Sequence, residues 1–289
     1  MHRQRRRIPS ASLLRRVSYA IAFVAFLLCA VSPASATIVE RFEEDPLSGA
    51  GSRIFFIEGD AAARFTYLPD TRPRFAGDRR GTLRVFYDTT APQARISTPL
   101  GEILSVDDDF TFGAILTIRS EGFFASPTGF SQIAFGLWNS ITTGLNRTGF
   151  PADSYDLVEF DYFPNAGEFG GPFLTPSIFG GNVSDNAFFN FAFQSSEVAL
   201  PFDVPLLCTI SYSAAERRLR LTVAAHEGGV RFREVVDASV LVDLSILDPT
   251  FLVNSLGIAA YFEGVVSSLR AQVDYDLLFF GSLPKPLRP

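Results

Sequence analysis

Apolar residues recur at every second position in many short runs of this sequence. In "DFTFGAILTIR" (109–119), Phe110, Phe112, Ala114, Leu116 and Ile118 fall on one face. In "RLRLTVAAH" (218–226), Leu219, Leu221, Val223 and Ala225 oppose Arg218, Arg220, Thr222 and His226. "SLRAQVDYDLLFF" (268–280) repeats the pattern, with Leu269, Ala271, Val273, Tyr275 and Leu277 against Arg270, Gln272, Asp274 and Asp276. A period of two predicts half-buried strands, and one polar face per strand predicts antiparallel sheets.

Between the runs stand clusters of turn residues such as "LPDTRP", "FAGDRRG", "SEGFFASPTG", "TGLNRTGFPAD" and "AHEGG". No long helical period occurs, although "DASVLVDLSILDP" has room for a turn or two of helix. Many strands with Gly- and Pro-rich connections and no alternating βα units predict an all-β, antiparallel two-sheet sandwich of jelly-roll type. The 30 phenylalanines fill the space between two such sheets.

Charge changes the picture at the N-terminus. Residues 1–36 carry six arginines and no acid, then the apolar run "YAIAFVAFLLCAV" and the small-residue site "ASA". The expectation is a signal peptide cleaved after Ala36, then one β-sandwich domain over 37–283 and a short Pro-rich tail over 284–289. Cleavage leaves nineteen basic against 31 acidic residues, a formal net of −12. That balance argues against nucleic acid and anionic membrane surfaces as partners. No later segment is apolar and long enough to span a bilayer, so the expected product is secreted, to the periplasm or beyond. Lys285 is the sole lysine among the basic residues, which hints at a GC-rich bacterial genome. Cys208 is then the only cysteine; it shares a face with Leu206, Ile210 and Tyr212 and reads as a buried, inert thiol.

Candidate chemistry concentrates in "DLVEFDYFPN" (156–165). On a strand, Leu157, Glu159, Asp161 and Phe163 face one way and Val158, Phe160 and Tyr162 the other. Same-face neighbours lie about 6.5–7 Å apart along the backbone, close enough for two carboxylates to grip one cation or one sugar. In "SQIAFGLWNS" (131–140), Ile133, Phe135 and Leu137 form a core stripe that leaves Trp138, the only tryptophan, out of phase and able to lie beside the carboxylates. There is no G-x-S-x-G, H-E-x-x-H, C-x-x-C or Gly-rich phosphate loop. His226, the sole histidine after residue 36, reads as an exposed turn residue.

The "DLVEFDYFPN" run resembles the metal-site strand of the concanavalin A-like, or legume-lectin-like, sandwiches. "TISYSAAERRLRLTVAA" and "NSLGIAAYFEG" are similar to later strands of that superfamily. The resemblance implies a concanavalin A-like fold and places Glu159, Asp161 and Asn165 at two carboxylate ligands and one amide ligand. Gly170 and Gly171 stand where the superfamily has a further acid, and no histidine lies between 37 and 225. What the resemblance then leaves open is calcium alone, with Glu168 and loop carbonyls partly completing its oxygens, or no ion at all, the acids standing on a solvated strand face with Asn165 starting a turn. Glycosidases of the superfamily carry a second carboxylate where this chain has Phe163 or Pro164, and neither transfers a proton.

The reading that follows is a secreted, non-catalytic lectin-like module that binds an oligo- or polysaccharide. Trp138, Tyr162, Phe169 and Phe173 would supply rings and Glu159, Asp161 and Asn165 polar groups. Two alternatives stay open: a glycoside hydrolase using Glu159, and an envelope or matrix structural protein with no small ligand. The residues 164–182 are expected to form a Gly- and Phe-rich loop whose course decides whether Glu159 sits in a cleft.

Overall fold

The computed structural model describes residues 37–49, 51–69, 81–88, 90–126, 130–145, 155–181, 191–227, 231–234, 240–243, 250–260 and 269–282. The chain divides into Met1–Ser35 and Ala36–Pro289, and all described residues belong to the second unit. The predicted signal peptide and the 284–289 tail lie outside the described residues.

Short alternating runs become short strands. In chain order they are β1 (Ile38–Glu40), β2 (Phe56–Gly59), β3 (Phe65–Leu68), β4 (Thr82–Asp88), β5 (Ala94–Ser105), β6 (Phe110–Ile118), β7 (Phe124–Ala125), β8 (Phe130–Trp138) and β9 (Leu157–Ala166). After them come β10 (Phe173–Phe179), β11 (Phe191–Phe193), β12 (Ser196–Glu197), β13 (Leu206–Ser213), β14 (Arg218–Glu227), β15 (Arg231–Glu234), β16 (Val240–Asp243), β17 (Leu252–Ala260) and β18 (Leu269–Phe280). One helical turn, α1 (Ala61–Arg64), is capped by Asp60, whose carboxylate accepts from the Ala63 amide. Among the described residues no helix is long and apolar enough to cross a membrane.

The strands pair antiparallel in two sheets. The larger runs β15-β14-β13-β6-β18-β4-β3, with β1 and β7 also pairing β18 and β16 pairing β14. The smaller runs β11-β10-β9-β8-β17-β5-β2, with β12 pairing β10. The expected all-β antiparallel two-sheet architecture is the observed one. Residues 240–243, inside the stretch with room for a turn or two of helix, form β16 paired to β14; the rest of that stretch lies outside the described residues.

The core lies between the sheets. Phe112 and Tyr275 of the larger sheet meet Phe135 of the smaller at ring-centroid separations of 6.2 and 6.3 Å. Phe135 stacks on Phe160 at 4.7 Å. Tyr87 reaches across the layer: its hydroxyl lies 2.9 Å from that of Tyr275 and donates to the Ala134 carbonyl at 3.1 Å. These bonds satisfy a buried hydroxyl that would otherwise cost about 1–3 kcal/mol.

Alternation places β6, β8 and β14 as expected, and fails at one point in β18. A β-bulge between Tyr275 and Leu277 shifts the register, so Leu278 and Phe280 enter the main core. Leu277, expected on that face, turns to the opposite side and packs with Ile115, Leu207 and Phe279. On that outer side Asp274 is fully buried, held by the Nε atoms of Arg84 and Arg119 at 2.7 Å each.

Candidate functional site

The register of β8, β9 and β10 defines the face on which the candidate residues stand. Glu159 lies opposite Gly136 on one side and Ser177 on the other; Asp161 lies opposite Ala134 and Thr175. Val158, Phe160 and Tyr162 belong to the main core, so the two carboxylates share the face that turns away from it. Gly136 is required there: a Cβ would fall 2.5 Å from the Val158 carbonyl and 3.0 Å from the Glu159 Cα.

That face is not wet. Glu159 is 0% and Asp161 2% exposed. Neighbouring polar groups take the place of solvent. The Gln132 amide nitrogen donates to Asp161 Oδ1 and lies 3.5 Å from Glu159 Oε2, and the Ser177 hydroxyl donates to Asp161 Oδ2. The acids are thus the centre of an internal hydrogen-bond network rather than an open polar surface.

Trp138 stands on the same face, beside Leu157 across the strand pair, and is fully buried. Its ring lies on Gly257, where a Cβ would come within 2.7 Å of the indole and 2.1 Å of the Ile96 carbonyl. The Arg95 guanidinium sits 4.9 Å from the ring centroid. Arg95 is itself fixed by a two-pronged pair with Glu58, at 2.6 and 2.9 Å, and by donation to the Thr143 carbonyl at 3.0 Å. This last bond ties the segment following β8 back to β5. Leu145 at its far end approaches Gly59 of β2. The indole, expected as a stacking platform, is fully buried between Gly257 and Arg95.

Tyr162 is also buried, and its hydroxyl accepts from the Leu200 amide at 3.2 Å, while burial pushes its pKa up. It holds the segment before β13 against β9 and presents no ring face. The remaining three candidates behave differently. Asn165 is half-buried near the end of β9, with its amide nitrogen donating to the Ser126 carbonyl. Phe169 ends a 3₁₀ turn (Gly167–Phe169) and is 73% exposed. Phe173 is half-buried at the start of β10, opposite Phe163. The expected long loop over 164–182 is instead a tight hairpin, closed by the Ala166 amide donating to the Gly170 carbonyl at 2.9 Å and followed directly by β10. It does not fold over the carboxylates. The side chain of Glu168 lies outside the described residues.

These positions decide what chemistry the arrangement supports. Calcium needs several oxygens converging on one point, whereas Gln132 directs an amide N–H at both carboxylates. Among the described residues no group of three or more His, Cys, Asp or Glu side chains converges. The donor set does not fit a calcium ion held by Glu159, Asp161 and Asn165. For glycoside hydrolysis, Glu159 has neither solvent nor an opposing carboxylate at Phe163 or Pro164. Cys208 is buried in the core, which pushes its thiol pKa far up and leaves it unreactive. A cavity of about 220 Å³ lies elsewhere, against residues 39–55. Its Glu40 and Glu44 are taken up by the Phe42 and Ser52 amides and by Arg53.

Several residues of this face escape a reading of the isolated motif. Gln132 shares the parity of Trp138 in "SQIAFGLW", which was a usable signal. Ser177 and Arg95 lie on other strands, and only the pairing brings them together.

No family model matches the sequence, and no curated relative matches it. Solved structures are similar to it at low identity. Lectin II from Ulex europaeus has a TM-score of 0.46 at 10% identity, over 85% of this chain and 97% of that one. The winged bean acidic lectin complexed with methyl-α-D-galactose has a TM-score of 0.46 at 12% identity, over 83% and 99%. Lectin I from Ulex europaeus, in complex with the methyl glycoside of α-L-fucose, has a TM-score of 0.45 at 13% identity, over 85% and 98%.

Proposed function

We propose that this chain is a secreted, non-catalytic carbohydrate-binding sandwich whose ligand site is the tip of the β9–β10 hairpin. One observation carries the reading: the strand pair that bears Glu159 and Asp161 ends in a turn that exposes Phe169, with Asn165 and Phe173 half-buried on the two strand ends that flank it. A pyranose offers a flat C–H face and a rim of hydroxyls, which require an accessible ring and nearby amide or carbonyl groups. Phe169 meets the first need, and Asn165 with the turn backbone meets the second. Glu159 and Asp161 act beneath the site, where Gln132 and Ser177 lock the three strands that carry the hairpin.

A second reading, a structural sandwich with no small ligand, is favoured by the burial of Trp138, Glu159, Asp161 and Tyr162. A glycan array separates the two. The carbohydrate reading expects wild-type signals that vanish in Phe169→Ala, while the structural reading expects silence from both proteins.

A further inference from the structure

Three of the exposed phenylalanines stand on segments that are hydrogen-bonded or packed together around the β9–β10 hairpin. Phe169 is 73%, Phe124 50% and Phe202 39% exposed, and they sit on three segments that the structure binds together. Asn165 of the hairpin donates to the Ser126 carbonyl, two residues from Phe124. The Val198 amide donates to the Pro172 carbonyl at 3.0 Å, joining the segment before Phe202 to the hairpin's other arm. The Phe202 ring meets Phe123 edge-on at 4.6 Å, and the Ser120 hydroxyl donates to Asp203. The Asp203 amide also donates to Ile118 at the end of β6, at 2.8 Å.

We propose that these segments bind a neutral, linear polysaccharide, with Phe124 and Phe202 as stacking positions additional to Phe169. The inference rests on the carbohydrate reading of the hairpin and extends it from a single sugar to a chain. Two features select that ligand. Ser120, Asp203 and Asn165 lie on the same segments as the three rings, so rings and polar groups alternate along them. That alternation suits a chain of pyranoses, each with an apolar face and hydroxyl edges, better than a lipid surface. Among the described residues here, Arg119 is held by Asp203 and Asp274, and Arg270 stands opposite Asp88 in the sheet. Glu121 and Glu197 are exposed, so the rim is acidic and an anionic glycan or phospholipid would be repelled.

The test is calorimetric titration of the secreted full chain with disaccharides and hexasaccharides of the cello-, laminari-, malto- and galacto- series, alongside phosphatidylcholine vesicles. For the series that binds, the hexasaccharide is expected to bind about tenfold more tightly than the disaccharide, a difference of about 1.4 kcal/mol. Phe124→Ala and Phe202→Ala should each erase much of that gain and leave disaccharide affinity unchanged. Phe124→Tyr, which keeps the ring, should retain it, and Phe169→Ala should weaken both ligands. Unfolding midpoints within about 1 °C of wild type confirm that the variants are folded. Equal affinity for both lengths, or no effect of Phe124→Ala and Phe202→Ala, overturns the extended site while Phe169-dependent disaccharide binding leaves the parent reading intact. Vesicle binding lost in these two variants, without dependence on glycan length, assigns the rim to lipid and overturns it too. Absence of binding to every sugar overturns both.

Discussion

Replacing Asp161 by alanine separates a carboxylate that supports the fold from one that touches a ligand. Asp161 accepts the Gln132 amide on one oxygen and the Ser177 hydroxyl on the other, and is 2% exposed. Removing it leaves two buried donors without their acceptor, each worth about 1–3 kcal/mol. Gln132 keeps its 3.5 Å approach to Glu159, which places the total towards the lower part of that sum. The expected loss is about 2–5 kcal/mol. For a domain of this size that lowers the thermal midpoint by about 5–15 °C. Asp161→Asn retains the shape and one acceptor and should lose less. Urea and thermal unfolding followed by circular dichroism measure both. A change of midpoint below about 1 °C in Asp161→Ala, or about 0.3–0.5 kcal/mol, would show that the network carries no stability and that the carboxylate is free for other work.

Three further outcomes follow from the same contacts. Gly257→Ala places a Cβ 2.1 Å from the Ile96 carbonyl and 2.7 Å from the Trp138 ring, so it should destabilise by about 1–3 kcal/mol in urea titration. Arg95→Lys loses the two-pronged pair with Glu58 and the bond to Thr143; because Trp138 is the only tryptophan, its emission should shift to the red as water reaches the ring, and an unchanged spectrum would contradict the packing. Calcium or a chelator should leave the midpoint unchanged, whereas an ion site occupied at a hundred times its Kd would raise stability by about 2.7 kcal/mol.

The face of each carboxylate was legible from strand alternation alone, because β9 pairs without irregularity from Leu157 to Tyr162 and side chains must therefore alternate there. Their burial was not. Their polar partners are Gln132 on β8 and Ser177 on β10; strand parity marks the face of Gln132, but only the pairing brings it and Ser177 onto the acids. The same limit explains Trp138: its parity was read correctly, but the ring settles on a glycine two strand positions along β17 and under a guanidinium from β5. Leu277 shows a different limit, since one extra residue at the bulge reverses every later position in β18 and no turn residue marks it. Phe124 stands in the turn cluster "SEGFFASPTG", where apolar residues seldom find cover, but nothing in the local pattern marks Phe202 as exposed.

The central claim, that the exposed hairpin tip and not the buried carboxylate face meets the ligand, is tested most directly by NMR shift mapping with a glycan that the protein binds. The account predicts perturbed amide and ring resonances at Asn165, Phe169 and Phe173, with the Trp138 indole N–H and the Gln132 side-chain amide unmoved. Shifts confined to Trp138 and Gln132, with a silent hairpin, would contradict it.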